Sequence, residues 1–159
     1  MPLLRNGHWT HDNPWVHLED DAPYPASDAS SAPLSCSLQR FVSLQSEGLH
    51  RASGVRLKSD DNVMQLSGHL QRIQLIIIDF PQYTDGRGYS QARVLRKQLG
   101  FSGELRAMGD VRPDQLLFMM RAGIDAFDFS DAPDSKLISQ ILTRYRVNYQ
   151  PSYQLPVAG

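Results

Sequence analysis

The segment Asp79-Phe80-Pro81-Gln82-Tyr83-Thr84-Asp85-Gly86-Arg87-Gly88-Tyr89-Ser90, with Arg93 just beyond, gathers carboxylates, guanidiniums and glycines into one short stretch. Glycines permit a sharp turn or a close approach of backbone to ligand. Free N–H groups at the start of a following helix favour an anion, and Arg87 and Arg93 could add paired donors for a sulfur oxyanion, a phosphate or a carboxylate. Arg106, Asp110 and Arg112 follow on the next strand and its loop. The candidate anion- or partner-binding set is therefore Asp85, Gly86, Arg87, Gly88, Tyr89, Ser90, Arg93, Arg106, Asp110 and Arg112. From Arg87 to Arg121 seven basic side chains stand against three acidic ones, a local excess expected to make binding of an acidic partner salt-sensitive. Tyr83, Tyr89, Trp9 and Trp15 are expected near the surface, where aromatics beside arginines suit a protein interface.

The same residues admit plainer roles. Asp85-Gly86 and Gly88 can simply turn a strand into a helix, and Ser90 can cap that helix. A dinucleotide site is disfavoured: the third small residue would fall at Gln91, and several residues separate the strand from Gly86 where a tight turn is required. Asp79, Asp85, Asp110 and Asp131 could assemble a carboxylate cluster for magnesium or acid–base work, although aspartates at strand ends more often cap helices. All five histidines precede residue 70, so a His-based triad or zinc site on these loops is excluded. His8, His11 and His17 lie in an acidic stretch and are expected to be solvated. Cys36 is the one cysteine, which excludes an internal disulfide and a cysteine zinc knuckle. It is expected on the first helix as a small buried hydrophobe. No cofactor and no metal are expected.

Something must position these loops. Gln74-Leu75-Ile76-Ile77-Ile78-Asp79-Phe80 is a continuous, largely β-branched run bounded by Pro81, as expected of a central strand buried on both faces of a parallel sheet. Val55-Arg56-Leu57, Glu104 to Met108 and Ala126 to Phe129 read as further strands. Leu34, Leu38, Phe41 and Val42 predict a helix with Ser35 as its cap and Gly48 as its stop. Val63, Leu66, Leu70 and Ile73 predict a second, and Ala92, Leu95 and Leu99 a third that ends at Gly100. Asp114 to Ala122, behind Pro113, is apolar enough all round to be wedged between other elements. Leu137, Ile138, Ile141, Leu142 and Tyr145 draw a stripe on a last helix. Residues 54–147 thus read β-α-β-α-β-α-β-α with right-handed crossovers. The fold class is α/β: repeated βα units forming a small, mainly parallel sheet flanked by helices, an open sheet being preferred to a partial barrel because a full (βα)8 barrel needs about 250 residues. In such sheets ligands bind beyond the carboxyl ends of the strands, so the loops to inspect follow Leu57, Phe80, Gly109 and Phe129.

Residues 1–33 carry one arginine against five carboxylates among Pro, Ser and Ala. They are expected to form an acidic N-terminal arm in which the pieces Gly7 to Thr10 and Pro14 to Leu18 could make a short hairpin or lie as an arm on the body. Residues 34–148 are expected to form the single α/β domain and 149–159 a C-terminal coil. The 159 residues carry a net charge of -1, so no overall field draws the chain to nucleic acid or anionic lipid. The longest apolar run is far below the roughly 20 residues of a membrane span, and no secretory leader is read at Met1 to His17. The expected location is cytoplasmic.

The stretch FPQYTDGRGYSQARVLRKQLGFSGELRAMGDVRPDQLLFMMRAGIDAFDF, Phe80 to Phe129, closely resembles the bacterial family catalogued as domain of unknown function 934. The FP-x-[FY]-TDGRGYS-x-AR, GELRA-x-GDV and DQL…F…R-x-G-x-DAF segments carry the likeness, strongly over about a third of the chain and more loosely over Pro33 to Ile78. Gln82 stands where a basic residue is expected, and Ala122 where a cysteine is frequent, so a thiol at that position is not essential here. The family carries the label probable oxidoreductase and is usually encoded beside the haem–iron–sulfur subunit of assimilatory sulfite reductase. The resemblance therefore implies a cytoplasmic accessory of sulfite reduction that binds the reductase haemoprotein or its electron carrier. It implies no catalytic residue set. A small anion-binding enzyme or oxidoreductase acting on a sulfur oxyanion or a phosphorylated metabolite is the alternative, and a module that stabilises the reductase during cofactor insertion is a third.

Overall fold

Leu3–Arg5 (β1) and His8–Thr10 (β2) form a hairpin turned at Asn6-Gly7, both residues having positive φ, 51° and 82°. An Asn-Gly pair is the favoured sequence for a two-residue hairpin turn because both positions must be left-handed. The computed structural model describes residues 2–25 and 31–148. After the hairpin come Val16–Leu18 (β3), Leu34–Ser37 (β4), Leu38–Ser46 (α1), Ala52–Leu57 (β5), Leu75–Phe80 (β6) and Arg87–Arg93 (α2). The last of these continues as a π turn through Gln98. Glu104–Gly109 (β7), Leu116–Ala122 (α3), Ala126–Asp128 (β8) and Ser135–Asn148 (α4) complete the chain.

All eight strands join one sheet in the order β2-β1-β8-β7-β6-β5-β4-β3. From β3 to β8 every neighbouring pair is parallel, and β1 adds to β8 antiparallel. The sheet is therefore mixed, with six consecutive parallel strands, and β6 sits well inside it. Each parallel step moves one place in the same direction, so right-handed crossovers put their helices on a single face. On that face Ile76, Ile78 and Phe80 of β6, Leu105 and Ala107 of β7, and Val55 and Leu57 of β5 alternate into the core with Phe41, Leu95, Leu116 and Met119 of the helices.

The sheet must also curl. Its edges are β2 and β3, which flat strands spaced about 4.8 Å apart would separate by about 34 Å. The chain passes from Thr10 to Val16 in six residue steps, about 21 Å at full stretch. Only a curled, half-barrel sheet brings its edges within that span, and residues 11–15 then cross its open side as a strap. This curvature keeps the sheet open without flattening it.

Several local expectations change. Leu34 to Ser37 is strand β4, and the first helix begins at Leu38 with Ser37 as its cap, its side chain accepting from the Arg40 N–H. Cys36 is therefore a strand residue, fully buried, and burial pushes its thiol up to about 11. Val63–Leu66 and Leu70–Arg72 are two 3-10 turns instead of one helix. Helix α3 is one-sided: Leu116, Met119 and Met120 are buried, but Phe118 is 54% exposed. On α4, Ile138, Leu142 and Tyr145 face the core while Leu137 points outward. The pieces Gly7 to Thr10 and Pro14 to Leu18 do not pair with each other; β2 turns back on β1, and β3 lies on the far edge of the sheet. No described helix is long and apolar enough to cross a membrane.

Candidate functional site

The loops after β6 and β7 share the carboxyl rim of the sheet because their strands are neighbours in register from Leu75 and Glu104 to Phe80 and Gly109. On this rim each arginine closes on the carboxylate two residues before it. Arg87 donates through Nε to Asp85 Oδ1 at 3.0 Å and through Nη2 to Asp85 Oδ2 at 2.9 Å, and its backbone N–H reaches Oδ1 as well. These bonds hold the Asp85 carboxyl down to about 2. Arg112 donates through Nε to Asp110 Oδ1 at 3.0 Å. The Tyr83 N–H donates to Asp110 Oδ2 at 3.0 Å, and the Arg112 guanidinium lies over the Tyr83 ring, 3.9 Å from its centroid. The Asp110 carboxyl is held below the usual range, first by Arg112 and then by the Tyr83 N–H. One carboxylate thereby ties the β6 loop to the β7 loop.

The glycines serve packing. Gly86 is the N-cap of α2 at φ -72° and ψ -10°, and a Cβ there would meet nothing within 4 Å. Gly88 is buried, and its Cβ would come within 2.5 Å of the Phe80 ring. That glycine lets α2 settle on β6. Ser90 lies inside α2 and is not its cap; the first-turn Arg87 N–H donates to the side chain of Asp85, the residue before the cap. Tyr89 packs edge-on against Phe80, with ring centroids 5.4 Å apart, and its hydroxyl donates to Gln115 at the start of the α3 segment. Arg93, at the end of α2, is exposed.

Arg106 belongs to a different surface. Its neighbours Leu105 and Ala107 face the helices, so alternation along β7 turns Arg106 to the concave side. There it is 2% exposed. Its Nε and Nη2 donate to Glu104 Oε2 at 2.9 and 2.5 Å, and its Nη1 to Asn13 Oδ1 of the strap at 3.1 Å. Glu104 Oε1 accepts in turn from Arg5 Nε at 2.5 Å. Arg106 thus stands apart from the rim set that contains Arg87 and Arg112.

The excess of basic groups counted along Arg87 to Arg121 is about halved in space. Arg87, Arg96, Arg106 and Arg112 pair with Asp85, Asp125, Glu104 and Asp110. Two of these carboxylates, Asp85 and Asp125, lie outside the counted stretch, and the count is blind to how pairs form. Asp79 faces Arg56 at 3.9 Å. Among the described residues no three His, Cys, Asp or Glu side chains come together as metal ligands. His17, which burial makes less basic, shares a hydrogen bond with Ser35 Oγ at 3.1 Å and is not a freely solvated side chain.

Sequence reasoning passed over Gln115, Phe118 and Glu104. An available signal was the repeated acid-x-Arg spacing at Asp85/Arg87, Glu104/Arg106 and Asp110/Arg112. A family model described as "Bacterial protein of unknown function (DUF934)" matches residues 54–158. No curated protein matches the chain.

Proposed function

The chain belongs to the bacterial family of unknown function DUF934, and from that premise we propose that it serves assimilatory sulfite reduction as a non-catalytic accessory protein. Its rim binds the reductase haemoprotein or the electron carrier that feeds it. The pathway rests on the sequence resemblance described above. The mode of action rests on one geometric observation: Arg112, about half exposed, is held over Tyr83 by Asp110.

An arginine fixed on a tyrosine face loses little freedom when a partner covers it, and Arg and Tyr are the residues that most often dominate interface energies. Phe118 lies three residues beyond Gln115, whose side chain accepts from Tyr89, and offers a bare aromatic ring on the same helical segment. The arginines of the rim already have carboxylate partners, so a free oxyanion would have to displace Asp85 or Asp110 to gain a bidentate bond. That favours docking over capture of a small anion.

A strain lacking the protein, grown with sulfate or with cysteine as sole sulfur source, tests the proposal. The expected result is poor growth on sulfate restored by cysteine and by a plasmid-borne wild-type copy, with Arg112→Ala failing to restore it. Equal growth on both sulfur sources contradicts the proposal. Lost reductase abundance in the deletion strain, with normal electron transfer per molecule, would point instead to a role in stabilising the reductase.

A further inference from the structure

The concave face of the curled sheet is lined in an unusual way for the inside of a βα half-barrel, where branched aliphatic side chains normally fill the space. Arg5, Arg56 and Arg106 stand on it with Asp79, Glu104 and Asp128. Arg5 and Arg106 both pair with Glu104, and Arg56 faces Asp79 at 3.9 Å, so each of these arginines already has a carboxylate partner. Arg56 and Arg106 flank Ile77 in register, and Asp128 lies one pleat beyond Ala126, the residue paired with Arg106.

Two groups on this face matter most. The Arg106 side chain is 3% exposed, and its Nη1 is met by Asn13 Oδ1 of the strap. Asp128 Oδ1 is out of contact with solvent and has no hydrogen-bond donor, although a buried acceptor left unpaired is costly. Burial raises the Asp128 pKa, and Arg106 is the first group opposing that rise, which places the two within electrostatic reach.

The strap itself lies outside the β-ladder. Asn13 anchors it on Arg106. Trp15 anchors it on Gly54, where a Cβ would come within 2.7 Å of the indole and 2.9 Å of Ser35 Cβ. Gly54 is thus the notch that seats Trp15. Both anchors come from outside the family-matched residues 54–158, whereas Arg56, Asp79, Glu104, Arg106 and Asp128 of the concave face lie inside them.

We propose that the concave face beneath residues 11–15 is a binding site for a small molecule bearing a primary carboxamide, closed in this state by the side chain of Asn13. The existing ion pairs select a neutral ligand, because an added anion would have to displace Glu104 from Arg106 or sit beside it unpaired. A carboxamide offers in one planar group an oxygen for Arg106 Nη1 and an N–H for Asp128 Oδ1. Asn13 supplies the first contact and leaves the second unmade. A ligand making both contacts therefore outcompetes the strap once its concentration offsets the tethering of Asn13.

The test follows the Arg106 Nε–H resonance of arginine-labelled protein during titration with acetamide. Wild type, Asn13→Ala and Trp15→Ala are compared, the two variants each lifting one anchor. The expected result is a saturable shift whose midpoint is at least roughly tenfold lower in either variant than in wild type, since opening removes the competing closed state. Adding Asp128→Ala to Asn13→Ala abolishes it, and sodium acetate at matched ionic strength produces no saturable shift. Equal midpoints in wild type and variants, an unsaturated drift, or an acetate response equal to that of acetamide would overturn the proposal.

Discussion

Asp110 holds Arg112 and Tyr83 together: its Oδ1 accepts from the arginine Nε at 3.0 Å and its Oδ2 from the tyrosine N–H at 3.0 Å. The arginine–tyrosine stack at 3.9 Å follows from these two bonds. Asp110 thus shapes the rim through its neighbours.

The first prediction concerns that division of labour. Asp110→Ala should weaken partner binding about as much as Arg112→Ala, because it frees both the guanidinium and the loop. Arg112→Lys should not rescue binding, since an ammonium cannot form the planar fork or the same stack. Dissociation constants for the three variants check this. The Asp110 pKa is lowered in the folded chain, so the ordering it provides is present above the ordinary carboxylate range and is lost as pH falls through its folded pKa.

The glycines separate a packing role from a ligand-approach role. Gly88→Ala places a methyl group within 2.5 Å of the Phe80 ring and should cost about 1–3 kcal/mol by overpacking. Gly86 has helical dihedrals and open space around it. Gly86→Ala should therefore be neutral or stabilise by up to about 1 kcal/mol through the unfolded chain. Denaturant midpoints distinguish the two.

The network behind the strap predicts a larger effect. Glu104 is the shared acceptor of Arg106 and Arg5, so Glu104→Leu strands a buried guanidinium and should lower stability by about 3 kcal/mol. Replacing Glu104 and Arg106 together by Leu and Met should recover part of that loss. Equilibrium unfolding of the single and double variants measures the difference.

Asp125 provides a pH signature. Burial pushes its carboxyl up to about 6 despite the facing Arg96. A raised acid stabilises the fold when protonated, so its contribution is fully present below the ordinary carboxylate pKa and is lost as pH rises through about 6. The loss is at most about 3 kcal/mol. Asp125→Asn keeps an oxygen for the Leu105 N–H and should remove this slope. Melting temperatures between pH 4 and 7, wild type against variant, are the measurement.

Much of the fold was legible where local sequence and global position agree. The Ile76 to Ile78 run is β-branched and buried on both faces, so propensity and context both specify β6. Leu34, Leu38, Phe41 and Val42 misled because their helical spacing runs across the junction at Ser37, and a four-residue strand is too short for alternation to announce it. The Asn6-Gly7 turn carries a hairpin signal, but it sits in an acidic, Pro- and Ser-rich stretch whose composition suggests an arm. That β1 docks beside β8, more than a hundred residues away in sequence, is a nonlocal pairing that no local pattern carries. At the site, Asp85, Arg87, Asp110 and Arg112 were found by residue type, whereas their mutual neutralisation depends on i, i+2 geometry in the loops. Arg106 could have been separated from them by alternation alone, since Leu105 and Ala107 on either side are apolar and the arginine must face the other way.

The pairing of four of the seven arginine and lysine groups from Arg87 to Arg121 with carboxylates also revises the expected role of salt. Partner binding should depend only weakly on ionic strength, and Arg112→Ala should act through faster dissociation, the usual mark of a lost interface anchor.

The most direct test is the affinity of the purified sulfite reductase haemoprotein, with its electron carrier as a parallel arm, for immobilised wild-type protein and for Arg112→Ala at low and at physiological salt. Saturable binding by wild type to at least one arm, weakened roughly tenfold or more by the substitution at both salt concentrations, is the predicted result. Absence of binding to both arms even at low salt, or equal affinity of wild type and Arg112→Ala, would contradict it.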